Sequence, residues 1–554
     1  MSEGFQVARL IPVSGIANAR EAEMRATSAL LSVFTIVRDL SVAVTAPLGA
    51  SAARRATVEA FIETRFKLTD SGAVVRPDGL LQVSYGSSVW RALVEVKTGS
   101  SRLEADQVNN YLAVAREHGI DAVITISNEI AIGSTHPCEG VKVRANSRVR
   151  LAHYSWTEIL AFAVRAKVHH GVEDPEQAWI LGELIRYLEH PASGAMAFDD
   201  MGPHWTAVRD GAREGALRKS GEDVRDIVHR WDQLMRFAAL TLGADIGVDV
   251  QPVVPRAQND PKARAGYLTD SLVNAGLLDG TLRIPGAAGN TTVQADLRAR
   301  QITVSADIGA PLDRGNKARA TWMIRQLKAD TPDGVIIEAW PRHARQPLTS
   351  TLAQARDDAS ILVDAGKKDT LRFRLVLRAE MGQNRKDGGR SPGFIQSVIS
   401  LLRSFYRDVL QQVVPWTPAA PRVRTPSEPT ELKQDPIADE EDLDEAISAA
   451  RGDVTERTGE WNPRDTDDDP SADEDPAEVA WDEDASSEAH GDETDDGYVV
   501  APSIAFDDTA DGPTIHGSVE GAPSREPTVS RTHQVMHHSN PTSAWSPGSG
   551  ALPK

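Results

Sequence analysis

Cysteine is all but missing from this chain of 554 residues. The single Cys138 excludes an internal disulfide framework and any zinc site built from several thiolates, and it fits a reducing compartment. Long apolar runs are missing too. None approaches the ~18 residues that a membrane helix needs, and the N-terminus lacks a basic-then-apolar leader pattern, so a soluble, cytoplasmic chain is expected. There is no Gly-x-x-x-x-Gly-Lys-Ser/Thr phosphate loop, which leaves the chain without a nucleotide-driven motor of its own. Basic residues are outnumbered, with 60 Lys and Arg against 80 Asp and Glu and a net charge of -20. Spread evenly, that charge would argue against a nucleic-acid partner. It is not even: Glu428 to Asp511 holds 31 acidic and 4 basic residues, and the rest of the chain is left at +7, mildly basic and compatible with a polyanion.

Chemistry concentrates between Arg76 and Tyr111. Two β-rich runs, Asp78-Gly79-Leu80-Leu81-Gln82-Val83 and Ala92-Leu93-Val94-Glu95-Val96-Lys97, flank Tyr85-Gly86-Ser87-Ser88. A Gly-Ser pair at the centre of a two-residue loop is a type II′ hairpin signal. With Tyr85 facing Ser88, counting outward sets Asp78 opposite Glu95, and the period of two puts Lys97 on the face of Glu95. Opposed like charges repel unless a cation or proton lies between them. Two carboxylates are hard ligands suited to Mg²⁺ or Mn²⁺, and a neighbouring ammonium can orient a nucleophile or stabilise developing negative charge. The grouping suits phosphodiester hydrolysis. A structural salt-bridge hairpin is the plain alternative.

Pro77-Asp78, a spacer and Glu95-Val96-Lys97 resemble the signature of the PD-(D/E)xK nuclease superfamily. Gln107 followed by Tyr111 is similar to the Gln-x-x-x-Tyr motif of its RecB-like branch. The resemblance covers the N-terminal domain only and implies an α/β fold: a restriction-endonuclease-like core in the order αβββαβ, with a mixed central sheet flanked by helices. It implies Mg²⁺ or Mn²⁺ held by Asp78 and Glu95, assisted by Lys97, with Gln107 positioning substrate or water and Tyr111 contacting the nucleic-acid backbone. The first helix of such folds often lends another acid, here Glu23; complementing the helix dipole is the other use of that residue. A polar pair on a solvated helix is the other reading of Gln107 and Tyr111.

The expected elements fit that order. A helix spans Ala19 to about Leu40, a first strand Thr57 to Phe66, and a helix Leu103 to His118 ended by Gly119. The run Ala122-Val123-Ile124-Thr125-Ile126 suits a buried parallel strand. A strand near Val149–Tyr154 and helices near Trp156–Val168 and Pro175–Tyr187 extend the domain. Glu63 is expected as an exposed strand carboxylate, with an approach to the site as its other reading, and His153, His169, His170 and His190 match no compact metal site. Expected boundaries are 1–195 for the nuclease-like domain, 196–246 for a helical connector, 247–416 for a second α+β domain and 417–554 for a disordered acidic tail. In the second domain, strands are expected at Thr281–Ile284, Thr291–Leu297, Gln301–Ile308, Val335–Trp340 and Thr370–Ala379. Helices are expected near Asn316–Leu327, Leu352–Leu362 and Pro392–Val414. The loop with Arg385, Lys386 and Arg390 before Ser391-Pro392 is either a phosphate contact or a solvated connection.

The expectation is therefore a metal-dependent nuclease acting on DNA, in restriction, phage defence, repair or stress response. The competing expectation is a non-catalytic nucleic-acid-binding or scaffold protein. The acidic tail would solubilise the chain, compete with nucleic acid or recruit a protein partner.

Overall fold

On the first helix, Ala26, Leu30, Leu31, Val33 and Phe34 recur at spacings that line one side, and all five are buried, giving α1 (Ala19–Ile36) a single apolar stripe. Asn18 caps it by accepting from the Glu21 N–H at 3.0 Å, which satisfies one of the free amides of the first turn. The helix expected to reach Leu40 stops at Ile36. Val37 turns extended (φ -98, ψ 95) and α2 (Arg38–Thr45) leaves at a bend of 107°. Val37 is itself fully buried, so core packing sets the corner where no Gly or Pro does.

The computed structural model describes residues 9–417, apart from 17, 70–71, 134–135, 145, 367 and 383–392, and the backbone of Tyr498–Val500. β1 (Thr57–Ile62) ends earlier than expected, because Phe66 belongs to a small separate ribbon of β2 (Phe66–Lys67) and β3 (Val74–Val75). β4 (Gly79–Tyr85) pairs antiparallel with both β1 and β5 (Ser88–Val96). The crossover helix α3 (Ala105–Glu117) then returns the chain so that β6 (Ala122–Ser127) and β7 (Arg150–Ser155) run parallel to β5. The result is a mixed five-stranded sheet in the order β1-β4-β5-β6-β7.

Helices cover both faces. Leu81, Val83, Ala92, Val94 and Ile124 meet α1, α2, α4 (Trp156–Val164) and α5 (Pro175–Leu188) on one side. Leu93 and Val123 meet Val108, Tyr111, Leu112 and Ala115 of α3 on the other. Every residue of β6 is buried, as a central parallel strand demands. Each fully buried Leu or Val contributes about 1.5–3 kcal/mol relative to exposure, so the hairpin that carries Asp78 and Glu95 is anchored from both sides.

Where one helical passage was expected there are two helices, α6 (Trp205–Glu214) and α7 (Glu222–Ile246); Gly215 at φ +68 closes the first. The remaining elements are β8 (Gln251–Pro255), α8 (Pro261–Ala275), β9 (Leu277–Arg283), β10 (Thr291–Asp296), β11 (Gln301–Gly309), α9 (Asn316–Gln326), β12 (Ile336–Pro341), β13 (Leu348–Thr351), α10 (Leu352–Asp357), β14 (Thr370–Glu380) and α11 (Gly393–Asp408). Together with β15 (Tyr498–Val500), the strands build an antiparallel sheet ordered β13-β12-β14-β11-β10-β9-β8-β15. Its inner face, with Leu278, Val293, Val304, Phe373 and Ile337, packs on α7, α9 and α11. The described residues of both sheets belong to one compact unit.

α7 joins the two halves. Trp231 and Met235 lie in the second core, while Arg236 bonds Glu158 of α4 at 2.6 Å and Gln251 of β8 at 2.8 Å. Arg165 reaches Asp249 at 3.1 Å.

Two expectations concern the end of the chain. Within the stretch expected to be a disordered acidic tail, the backbone of Tyr498–Val500 pairs with Val253–Pro255; β8 would otherwise leave ladder groups unpaired, and an edge of that kind accepts another strand. Apart from Thr417, the rest of that tail and the basic loop with Arg385, Lys386 and Arg390 lie outside the described residues. No single helix among the described residues is long and apolar enough to cross a membrane.

Candidate active site

The hairpin register is the one that the Gly-Ser loop demands. Tyr85 faces Ser88, Gly86 takes φ +59, and Gly79 faces Val94, so the next residues outward are Asp78 and Glu95. Asp78 Oδ2 accepts from the Val96 N–H at 2.8 Å, which pins this carboxylate to the far strand. Lys97 Nζ donates to Glu95 Oε1 at 2.7 Å, and the Tyr111 hydroxyl lies 2.7 Å from Glu95 Oε2. The three expected side chains thus converge at one end of the sheet.

Burial and like charge govern their protonation. Glu95 is 1% exposed; burial first, then the neighbouring charge of Asp78, pushes its pKa up to about 7 against the pull of Lys97. The ion pair and the Tyr111 contact favour an ionised Glu95, but burial outweighs them. Asp78 is also raised, again chiefly by burial, although the Val96 amide and Lys97 work the other way. For Lys97 burial disfavours the ammonium, yet Glu95 and the other carboxylates prevail and the pKa ends above its usual value. Lys97 is therefore a fixed cation at neutral pH and an acid or electrostatic partner rather than a proton acceptor.

Gln107 and Tyr111 share a face of α3, and burial limits what Tyr111 can contact. Tyr111 is 2% exposed, so its ring cannot reach a nucleic-acid backbone. Its hydroxyl accepts from Gln107 Nε2 at 2.8 Å and points its one proton toward Glu95 Oε2 or the Arg76 carbonyl, 3.1 Å away. Burial and the adjacent Glu95 hold the phenol above its ordinary pKa, so it stays a donor. Gln107 orients Tyr111, and Tyr111 orients Glu95: the pair positions a carboxylate from behind.

A cleft of about 1490 Å³ opens onto Asp78. Glu23 lines it, and its charge acts on both Asp78 and Lys97. Glu63 lines it as well. It lies past the end of β1 with φ +55, a left-handed conformation that costs a non-glycine residue energy, and not in the strand where alternation had set it. Trp179 of α5 completes one wall; its exposure on a helix gave no signal in the sequence. His153 lies elsewhere, hydrogen-bonded between Thr125 and the Glu129 carbonyl. Burial lowers its pKa to about 3, so it is neutral.

Asp78 and Glu95 are hard oxygen donors held together against repulsion, a donor set that fits a small divalent cation retaining several waters. Among the described residues no three Asp, Glu, His or Cys side chains form a metal-holding group, so Glu23 is not drawn into a ready-made third position. Water and substrate oxygens would complete the shell.

Gly79 links this site to the core. A Cβ there would collide with Leu31 Cδ1 and sit 3.4 Å from the Phe61 carbonyl oxygen, and Leu31 is buried with little room to yield. Gly79→Ala is expected to cost about 1–3 kcal/mol of stability, read by urea denaturation; an unchanged midpoint would mean that α1 shifts freely over the hairpin. No family model, curated protein or solved structure matches this chain.

Proposed function

We propose that this chain is a metal-dependent nuclease that hydrolyses phosphodiester bonds, with DNA as its substrate, on a restriction-endonuclease-like core. The observation that carries the reading is the meeting of Asp78, Glu95 and Lys97 at the sheet end beside an open cleft. A repulsive pair of carboxylates, Glu95 buried and Asp78 half-buried, costs folding energy, and a structural ion pair would need only one of them. The element order α1, β1, β4, β5, α3, β6, with β5 and β6 parallel, supports the same reading.

Bound Mg²⁺ or Mn²⁺ would polarise the phosphoryl oxygen and lower the pKa of a bound water. Asp78 and Glu95 would hold the ion, with Glu95 kept in place by Tyr111 and Gln107. Lys97, cationic throughout, would stabilise the negative charge that grows on the phosphate and orient the attacking water. Restriction, phage defence, repair and stress response are the settings that such chemistry serves.

One observation favours a non-catalytic nucleic-acid-binding protein instead: both Glu95 oxygens are already engaged and the residue is 1% exposed. Cleavage assays separate the two. Purified full-length chain is expected to nick plasmid or degrade oligonucleotides with Mg²⁺ or Mn²⁺ and to stop on addition of EDTA. Binding without cleavage, across duplex, single-stranded, modified and RNA substrates, would leave the non-catalytic reading.

A further inference from the structure

The walls of the cleft are unlike its floor. Trp179 is 57% exposed, Ile62 53%, Met24 51% and Ile36 42%, and all four line this one cavity. Scattered apolar side chains on a surface need no explanation, but a cluster around a cleft marks a place where something apolar sits. Arg20, Arg65 and Arg76 line the same cavity, interspersed with the carboxylates of Glu21, Glu23, Glu63 and Asp78, and among the described residues no ion pair occupies these three arginines. A volume of about 1490 Å³ exceeds the ~300–1,000 Å³ of small-molecule pockets.

Cations for phosphates next to flat apolar surface for bases are what an unpaired strand needs. A duplex keeps its base faces stacked inside and presents phosphates and groove edges, leaving nothing for an indole to cover. A single strand offers its base faces, and stacking on an aromatic side chain tolerates any sequence. Resting on the nuclease reading of Asp78 and Glu95, we infer that the cleft takes an unpaired nucleic-acid strand. Trp179 stacks on one base, Met24 and Ile62 flank the neighbouring base, and the arginines guide the backbone past Asp78. Trp179 is thereby the residue that selects single-stranded over paired substrate.

The test is fluorescence anisotropy on the full chain, with Ca²⁺ replacing Mg²⁺ to hold off cleavage. The probes are an oligothymidylate and an oligouridylate of about 20 nucleotides and a duplex of matching length. One or both single strands should bind about tenfold or more tighter than the duplex, and the stronger of the two names the sugar that the cleft prefers. Trp179→Ala should weaken that strand by about 5- to 100-fold and leave duplex binding within about twofold; Trp179→Phe should retain most of the affinity. Equal or tighter duplex binding, or an indifferent Trp179→Ala, overturns the inference. Parallel assays with Mg²⁺ tell this failure from that of the nuclease reading. Strand binding that depends on Trp179 without any cleavage keeps the inference and removes the nuclease. Duplex cleavage untouched by Trp179→Ala keeps the nuclease and removes the inference.

Discussion

Asp78→Asn is expected to lower phosphodiester cleavage on the order of 10³-fold or more while the protein melts no lower than the wild type at about pH 8. The amide keeps the size of the carboxylate, and its oxygen can still accept from the Val96 N–H that now bonds Asp78 at 2.8 Å. What disappears is one negative charge beside Glu95, and with it half of the donor set. Because burial raises the Asp78 pKa, the ionised form is disfavoured in the folded state and its removal relieves the core. Loss of activity without loss of stability is the mark of a residue kept for chemistry. Retained cleavage in this variant would move the active site elsewhere in the chain. A large fall in melting temperature with it would make Asp78 a structural acid.

The second large effect is a loss of stability as pH rises. An unfolded Glu gives up its proton near 4.5, whereas Glu95 in the folded chain keeps it to about 7. Between those values the native state binds the extra proton, so stability falls with increasing pH across that window. The full difference corresponds to about 3 kcal/mol, lost between about pH 4.5 and pH 7 in protein freed of divalent ions. Asp78, raised in the same direction, adds to the trend, and Lys97, raised above a value already alkaline, does not enter the window. Glu95→Gln should flatten the slope, because Gln does not titrate. Urea midpoints at about pH 5 and pH 8, wild type against Glu95→Gln in EDTA, decide it; parallel curves for the two proteins would show that Glu95 ionises normally. Mg²⁺ added at the higher pH should restore much of what the wild type loses there, by mass action on the native state.

Much of this geometry was legible because it is local. A Gly-Ser loop fixes a register, the register fixes which residues oppose, and Asp78 across from Glu95 follows without knowledge of the rest of the chain. Gly119, at φ +64 beyond α3, was marked by the same backbone chemistry. Depth was not legible. Helical spacing sets Gln107 and Tyr111 on a common face, but only the packing of α3 on Leu93 and Val123 decides that the phenol lies beneath the site and not at its mouth.

The elements that escaped the sequence have their own reasons. β8 contains Pro252 and Pro255, which argue against a strand except at an edge, and the described partner on its outer side is only the three-residue β15. α8 carries just two fully buried aliphatic side chains, Leu268 and Leu272, too few to establish a period, although Asp260 before Pro261 is an N-cap and first-turn signal. The wall around Trp179 could not be foreseen, since Met24, Ile62 and Trp179 come from three elements far apart in sequence.

The long helix α7 has a consequence for how the molecule comes apart. Its apolar side is built into the core of the antiparallel sheet, while Arg236 grips Glu158 beside the mixed sheet. Neither half can shed this helix without exposing Trp231 and Met235 or stranding a half-buried carboxylate. Melting should accordingly run as one calorimetric event, with both halves losing protection from amide exchange together.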